Sequence, residues 1–348
     1  MAILVTGGAG YVGSHVAYEL VDAGRTVIVL DNLSTGFASS VPSSAHFVIG
    51  DVADQVLLSK LHEDHGIDAI IHMAGSVVVP ESLADPMRYY LNNTERSRAL
   101  IAFSIAAEIR HFIFSSTAAV YGTPASIPVG EDAPLRPLSP YGTSKMMTEM
   151  MLADAAKAHA LRYVALRYFN VAGADPAGRT GQSTKGASHL IKVACEAAIG
   201  QRKAIDVFGT DYRTRDGSCI RDFIHVKDLA QAHLAALLHL EKGGPSQILN
   251  CGYSRGFSVL EVIDAVKQMS GREFAVHRSH RRPGDVVEIV ADCCRLRSVL
   301  DWTPRHDDLG SIIRDAWRWE QRLAAARVQT SARMSSRAPW PLHGERTT

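Results

Sequence analysis

An apolar run, Ala2-Ile3-Leu4-Val5, leads straight into Thr6-Gly7-Gly8-Ala9-Gly10-Tyr11-Val12-Gly13, and few folds accommodate that succession. Glycines at 7, 10 and 13 suit a strand–turn–helix unit. The turn needs positive φ, the backbone must approach a ligand closely, and the helix must pack tightly on the strand. The start of such a helix offers free N–H groups and the positive end of a dipole, which attract a pyrophosphate. Asp31 ends the next apolar run about 20 residues on. A carboxylate there accepts hydrogen bonds from an adenosine ribose and repels a 2′-phosphate. The unit predicts a dinucleotide site for NAD rather than NADP, with Asp51, after the third strand, against the adenine.

Short apolar runs then alternate with amphipathic ones, the rhythm of βαβ units. Strands are predicted at Ala2–Thr6, Thr26–Asp31, His46–Gly50, Ala69–His72, His111–Ser115 and Tyr163–Arg167. Helices are predicted near Tyr11–Ala23, Val52–Asp64, Pro86–Ala107 and Pro140–Ala158. The fold class is α/β: a Rossmann-type doubly wound parallel sheet over 1–175, then a smaller C-terminal α/β substrate domain over 176–323. The apolar run Leu229–Leu240 is expected to return to the first domain. Residues 324–348, rich in arginine, serine, alanine and proline without hydrophobic periodicity, read as a disordered tail.

Lysine plus arginine (37) nearly balances aspartate plus glutamate (36), so no global field argues for nucleic acid. No apolar stretch is long enough for a bilayer, and the apolar start is too short for a signal peptide. The cysteines, Cys195, Cys219, Cys251, Cys293 and Cys294, form neither a CxxC pair nor a zinc pattern. Reduced thiols in a cytoplasmic protein are expected. The 15 histidines show no HExxH pattern, so no metal is inferred.

Tyr141 and Lys145 lie in Ser139-Pro140-Tyr141-Gly142-Thr143-Ser144-Lys145. Ser139 suits a helix N-cap and Pro140 the first helical position, which puts Tyr141 and Lys145 on one face. A free tyrosine titrates near pH 10, too high for a base at neutral pH. A nearby ammonium and a positive nicotinamide stabilise the phenolate, giving a general base for an alcohol that loses hydride. The upstream strand ends in Ser115-Ser116-Thr117, whose hydroxyls are placed to reach the same substrate hydroxyl.

Thr6–Gly13, Ser115-Ser116-Thr117-Ala118-Ala119-Val120-Tyr121-Gly122 and Tyr141–Lys145 resemble the extended short-chain dehydrogenase/reductases. Arg167-Tyr168-Phe169-Asn170-Val171-Ala172-Gly173-Ala174, Asp206-Val207-Phe208-Gly209, Arg221-Asp222-Phe223-Ile224-His225-Val226 and Arg281-Arg282-Pro283-Gly284-Asp285 are similar to bacterial UDP-glucose 4-epimerases in particular. The resemblance runs from about Ile3 to Trp302. It implies transient oxidation at C4 of UDP-glucose or UDP-galactose, with Tyr141 as base, Thr117 bonding the same oxygen and Lys145 tuning Tyr141 and holding the nicotinamide ribose. The 4-keto sugar then turns over and takes the hydride back on its other face. For NAD it implies Gly7, Gly10, Tyr11, Val12, Gly13, Asp31, Asn32, Asp51, Val52, Met73, Ala74, Gly75, Asn92, Ser115, Tyr141, Lys145 and Phe169. For the UDP-sugar it implies Arg221 and Arg282 on the pyrophosphate, Asp285 on the ribose, and Phe208 with Asp206 at the uracil. Asn170 would bond the sugar or β-phosphate, and His189 with Leu190 would begin the helix over the substrate. A homodimer pairing the helices at 86–107 and 140–158 is also implied, with neither nucleic acid nor membrane as a partner.

The chain departs from that family in places. Ser76-Val77-Val78 lacks the lysine that many members set near the cofactor phosphates. Ile289, where N-acetyl sugars would be gated, is neither bulky tyrosine nor a small residue. UDP-N-acetylhexosamines and UDP-xylose/UDP-arabinose therefore stay open as substrates. Ala118-Ala119 offers no carboxylate for the proton shuttle that dehydratases need. A non-catalytic NAD-binding protein would commonly have lost Tyr141 or Lys145.

Overall fold

The computed structural model describes residues 1–282 and 284–335. Six strands fall where the apolar runs predict them: β1 (Ala2–Thr6), β2 (Thr26–Asp31), β3 (His46–Ile49), β4 (Ile67–His72), β5 (His111–Thr117) and β6 (Arg162–Tyr168). The later chain adds β7 (Asn170–Ala172), β8 (Ala204–Phe208), β9 (Ile220–His225), β10 (Gln247–Cys251), β11 (Gly256–Ser258), β12 (Ala275–Ser279) and β13 (Glu288–Ile289). Seven of them make one parallel sheet in the order β3-β2-β1-β4-β5-β6-β10. The order reverses between β1 and β4, and a ligand lodges beyond the carboxyl ends at such a point.

The central strands are apolar throughout because helices cover both faces. Alternate residues serve the two sides. Ile3, Val5, Val27 and Val29 pack in one apolar cluster with the helices Tyr11–Asp22 and Val226–Glu241. Leu4, Ile28, Leu30 and Ile70 pack in the other with the helices Gln55–His65, Arg96–Ala106 and Pro140–Ala158. The helix Val226–Glu241 lies against Tyr11–Asp22, and β10 pairs with β6, so the later chain does return to the large sheet. Beyond that sheet, β11, β9 and β13 lie in sequence with β7 also on β9, and β12 pairs with β8.

Two elements differ from expectation. The stretch 86–107 is not one regular helix. It comprises Pro86–Tyr89, a π-helical turn over Tyr90–Glu95, and Arg96–Ala106. Such turns widen a helix and commonly sit at functional sites. Here the wide turn carries Asn93, whose Nδ2 donates to the Ser76 carbonyl (2.9 Å) and to Ser144 Oγ (3.1 Å). The last helix, Leu309–Ser335, runs past residue 324, where a tail was expected. Ala324-Ala325-Ala326-Arg327 has strong helix propensity, and an exposed helix end needs no apolar stripe. Residues 336–348 of that expected tail lie outside the described residues. Among the described residues no helix is long and apolar enough to cross a membrane.

A Cβ on Gly13 would stand 2.1 Å from the Gly7 carbonyl oxygen, which is backbone and has nowhere to move. Gly13→Ala should therefore cost about 1–3 kcal/mol by overpacking. The check is thermal unfolding of the cofactor-free protein, and an unchanged melting temperature would refute this account of the turn.

Candidate active site

The glycine turn forms a cradle at the end of β1. Gly7 has φ +69°, and a Cβ there would lie 2.6 Å from the Ala74 nitrogen. Gly10 precedes the helix Tyr11–Asp22 without any side-chain cap, so its first-turn N–H groups face outward for an anion. Asp31 is buried, and its carboxylate accepts from Ala9 N–H (3.0 Å) and Leu33 N–H (2.8 Å). That fixes the carboxylate at the end of β2 with lone pairs to spare. The cradle thus fits an adenosine dinucleotide. Asn32 accepts from Ser34 N–H (3.0 Å), and Asp51 and Val52 follow β3. Met73, Ala74 and Gly75 follow β4, and a Cβ on Gly75 would meet Asn93 Oδ1 at 3.0 Å and Lys145 Nζ at 3.4 Å. The Tyr11 side chain turns away, its hydroxyl donating to the Gly173 carbonyl (2.7 Å). What Tyr11 offers a dinucleotide is backbone.

On the helix Pro140–Ala158, Ser139 Oγ caps Gly142 N–H (3.3 Å), as the sequence predicts. Tyr141 and Lys145 are both buried one turn apart. The Tyr141 hydroxyl lies beside that of Thr117. Thr117 Oγ1 accepts from Ala119 N–H (3.1 Å). Burial raises Tyr141 above the usual phenol range, opposed by the Thr117 hydroxyl. Burial pushes Lys145 down to about 8, opposed by Glu149. Lys145 Nζ donates to the Ser115 carbonyl (2.9 Å) and sits 4.8 Å over the Phe114 ring. Burial works against the Tyr141 phenolate, and a positive nicotinamide beside it would favour the charged form. The other two strand-end hydroxyls are committed elsewhere. Ser115 Oγ bonds Met73 Sδ (2.6 Å) and His233 Nε2 (2.9 Å), and Ser116 Oγ donates to Glu149. Ser115 and Ser116 thus meet other partners, while Thr117 lies beside the Tyr141 hydroxyl.

Sequence reasoning missed what lies beneath. Arg167 and Glu149 form a buried ion pair, Nη2 to Oε2 2.6 Å and Nε to Oε1 3.0 Å. Arg167 Nη1 donates to Tyr121 Oη (3.0 Å), and that hydroxyl donates to Asn250 Oδ1 (2.6 Å). Two signals were present: an arginine within the apolar strand Val164–Tyr168, and a glutamate one turn after Lys145.

Across the cleft, β9 organises the remaining candidates. Arg221 faces Ile289 of β13 in register, and Phe223 faces Asn170 of β7. Asp222 is buried and accepts from the N–H groups of Tyr253 (2.9 Å), Ser254 (3.0 Å) and Ala291 (3.2 Å), so its carboxylate is tied to backbone rather than to Arg221. Arg221 Nη1 donates to the Ile220 carbonyl (2.8 Å). Arg282 lies 4.9 Å over the Phe208 ring and forks onto Asp285 (2.9 and 3.2 Å). These three residues, assigned from the sequence to different parts of the UDP, lie together. Asp206 shares the exposed face of β8 with Phe208 and pairs with His277 (3.7 Å). Ile289 and Phe169 pack in one apolar cluster with Ala118, beside Thr117. Asn170 is exposed. His189 turns inward instead, its ring 6.0 Å from that of Tyr11 and its Nδ1 3.3 Å from Gln182, while Leu190 starts the helix Leu190–Ala198.

Among the described residues one group gathers metal-type ligand atoms, His225, His306 and Asp315, within 4.8 Å. His225 Nδ1 accepts from Lys227 N–H, so Nε2 carries a proton towards Asp315, 3.4 Å away. Arg314 and Arg318 also face that carboxylate, which leaves little negative charge for a cation.

A family model described as the NAD dependent epimerase/dehydratase family matches residues 3–252. The chain is 53% identical over 330 residues to a UDP-glucose 4-epimerase of Azospirillum brasilense, covering 95% of each. It is similar to the crystal structure of UDP-glucose 4-epimerase from Brucella ovis in complex with NAD, with TM-score 0.89, 42% identity, and 92% and 98% of the two chains covered. It is similar also to the UDP-Glc/GlcNAc 4-epimerase from Campylobacter jejuni, with TM-score 0.81, 44% identity, and 92% and 99% covered.

Burying Lys145 has a signature in stability. The folded lysine gives up its proton near pH 8 and the unfolded one near 10.4, so between those values the unfolded chain binds more protons. Wild type should gain stability with rising pH in that window, relative to Lys145→Met, by at most about 1.4 kcal/mol per pH unit. Denaturant unfolding of both proteins from pH 7 to 10.5 measures it. A difference that does not vary with pH would refute the shift.

Proposed function

The chain belongs to the NAD-dependent epimerase/dehydratase family, and on that footing we propose that it interconverts UDP-glucose and UDP-galactose at C4 as an NAD-dependent isomerase. The observation that carries this reading is the buried Tyr141–Thr117 hydroxyl pair beside Lys145, at the open end of the glycine cradle. NAD, when bound, would supply a reversible hydride acceptor for C4. Tyr141 Oη takes the proton of the 4′-hydroxyl, and Thr117 holds the same oxygen. Lys145 keeps positive charge next to Gly75, where the nicotinamide ribose would lie. Gly7, Gly10 and Gly13 take the diphosphate, Asp31 with Asn32 the ribose, and Asp51 with Val52 the adenine.

Arg221, Arg282, Asp285, Phe208 and Asn170 then hold the UDP, leaving the sugar free to turn. An arginine fork matches phosphate oxygens, and Phe208, 39% exposed under Arg282, offers a ring face to a base. Ala118-Ala119 beside Thr117 supports epimerisation over elimination, since no carboxylate stands there to shuttle a proton. In this reading 1–175 is the cofactor domain, with 226–251 returning to it, and the substrate domain occupies the rest of 176–323. Five free cysteines, four of them buried, support a cytoplasmic setting.

We also propose a homodimer. Met87, Leu91, Met147 and Met150 are all exposed on the stretches 86–95 and 140–158, apolar surface that a second copy would cover. Sedimentation should give twice the chain mass, and a monomer at micromolar concentration would refute it.

The direct test supplies UDP-galactose to purified protein without added NAD and follows the sugar anomeric signals by NMR. UDP-glucose should appear, and Tyr141→Phe should slow it by about 10²–10⁴-fold. No turnover even with NAD added would overturn the assignment to UDP-hexoses. A parallel tube with UDP-N-acetylgalactosamine reads what Ile289 admits.

A further inference from the structure

A dinucleotide on this sheet lays its adenosine across the ends of β2 and β3 and its diphosphate near the start of the helix Tyr11–Asp22, between β1 and β4. The loop after β3 therefore borders the adenosine, and the loop after β4 borders the diphosphate. One cation is clamped between those two loops. Arg96 Nη2 meets Asp51 Oδ2, after β3, at 3.1 Å. Its Nη1 donates to Asn92 Oδ1 at 2.6 Å, and Asn92 Nδ2 donates to Ser76 Oγ, after β4, at 2.8 Å.

Both anchors are fixed. Asp51 Oδ1 accepts from Ala53 N–H (2.9 Å), and Asn93 Oδ1 accepts from Ser76 N–H (2.7 Å). The π-helical turn Tyr90–Glu95 delivers Asn92 and Asn93 to the β4 loop and hands the chain on at Arg96. The Arg96 side chain is 32% exposed. A guanidinium has five donors in a rigid fork, and only two of its N–H groups are engaged here. A bare surface ion pair would be worth little. A fork propped from two sides along the path of a doubly charged diphosphate is a preorganised anion contact.

We propose that Arg96 is a cofactor-retaining residue that holds the phosphate beside the adenosine of the dinucleotide, with Asp51 and Asn92 as its props. This rests on the proposed NAD-dependent function and adds a residue to it. It also gives the charge that Ser76-Val77-Val78 does not provide. The binding free energy of the cofactor is then sensitive to salt in a way that a purely structural arginine would not produce.

Titration of the cofactor-free protein with NAD, ADP and adenosine separates the cases. Arg96→Ala should weaken NAD and ADP by roughly ten- to hundredfold while adenosine binds nearly as before. Arg96→Lys should recover part of the loss, and the Arg96→Ala constant should vary less with salt than wild type. Release of NAD on gel filtration should be faster in the alanine variant. Equal NAD affinity in both proteins, or an adenosine loss as large as that of ADP, would overturn the phosphate contact. A loss that disappears in an Asp51→Asn background would also overturn it, since Arg96 would then only neutralise Asp51. If wild type itself binds no NAD, the proposed function fails first, and that result is distinct from the others.

Discussion

The helix that carries Tyr141 and Lys145 is tied to the sheet by a buried ion pair. Arg167 of β6 and Glu149 of Pro140–Ala158 are each 3% exposed in their side chains. Removing two charges from water costs several kcal/mol per ion, and severing such a pair typically costs about 3–5 kcal/mol. The cost is offset here by a second ring of bonds. Ser116 donates to Glu149, while Tyr121 and the Glu131 carbonyl accept from Arg167. The same ring fixes the reacting groups. Ser116 precedes Thr117, and one and two turns back from Glu149 stand Lys145 and Tyr141.

The price of that arrangement is a dry site, and dryness works against the base. Tyr141 is raised and Lys145 lowered for the same reason, because burial penalises whichever form is charged. Burial therefore favours the neutral phenol. Lys145 is buried too, its ammonium spent on the Ser115 carbonyl. Charge carried in by the cofactor is what would tip Tyr141 towards phenolate, so proton removal is tied to occupancy of the cradle. An unloaded protein would then have little tendency to deprotonate an alcohol.

Much of this was legible in the sequence, and the limits have physical reasons. β1 and β2 end where their apolar runs end, and the cap Ser139 starts its helix. The glycine spacing located the cradle because only a missing Cβ permits it. The π-helical turn was not legible. Its apolar and polar residues still fit a helical period, and the widening depends on Asn93 finding Ser76 and Ser144, distant in sequence. Arg96 was missed for the same reason, since its partners come from 45 residues before it (Asp51) and from its own turn (Asn92). The hydroxyl run Ser115-Ser116-Thr117 was over-read. Strand alternation sends successive side chains to opposite faces, so Ser115 and Ser116 meet His233 and Glu149 on different sides.

The same ion-pair chemistry appears in two settings with opposite consequences. Arg282 and Asp285 form a fork 41% and 15% exposed, of the kind worth at most about 1 kcal/mol, and so easily reopened. Arg167 and Glu149 form one that is buried and costly to open. Groups that must exchange partners at each turnover belong in the first setting, and groups that must hold the geometry belong in the second. A cofactor regenerated in place, as the proposed function has it, would need no exchange, which suits a cradle of backbone and buried carboxylate. A substrate that comes and goes needs contacts that water can replace. In the proposed reading Phe208, Arg282 and Asp285 would meet that need, and the buried network under Thr117 and Tyr141 would hold the reacting oxygen in place.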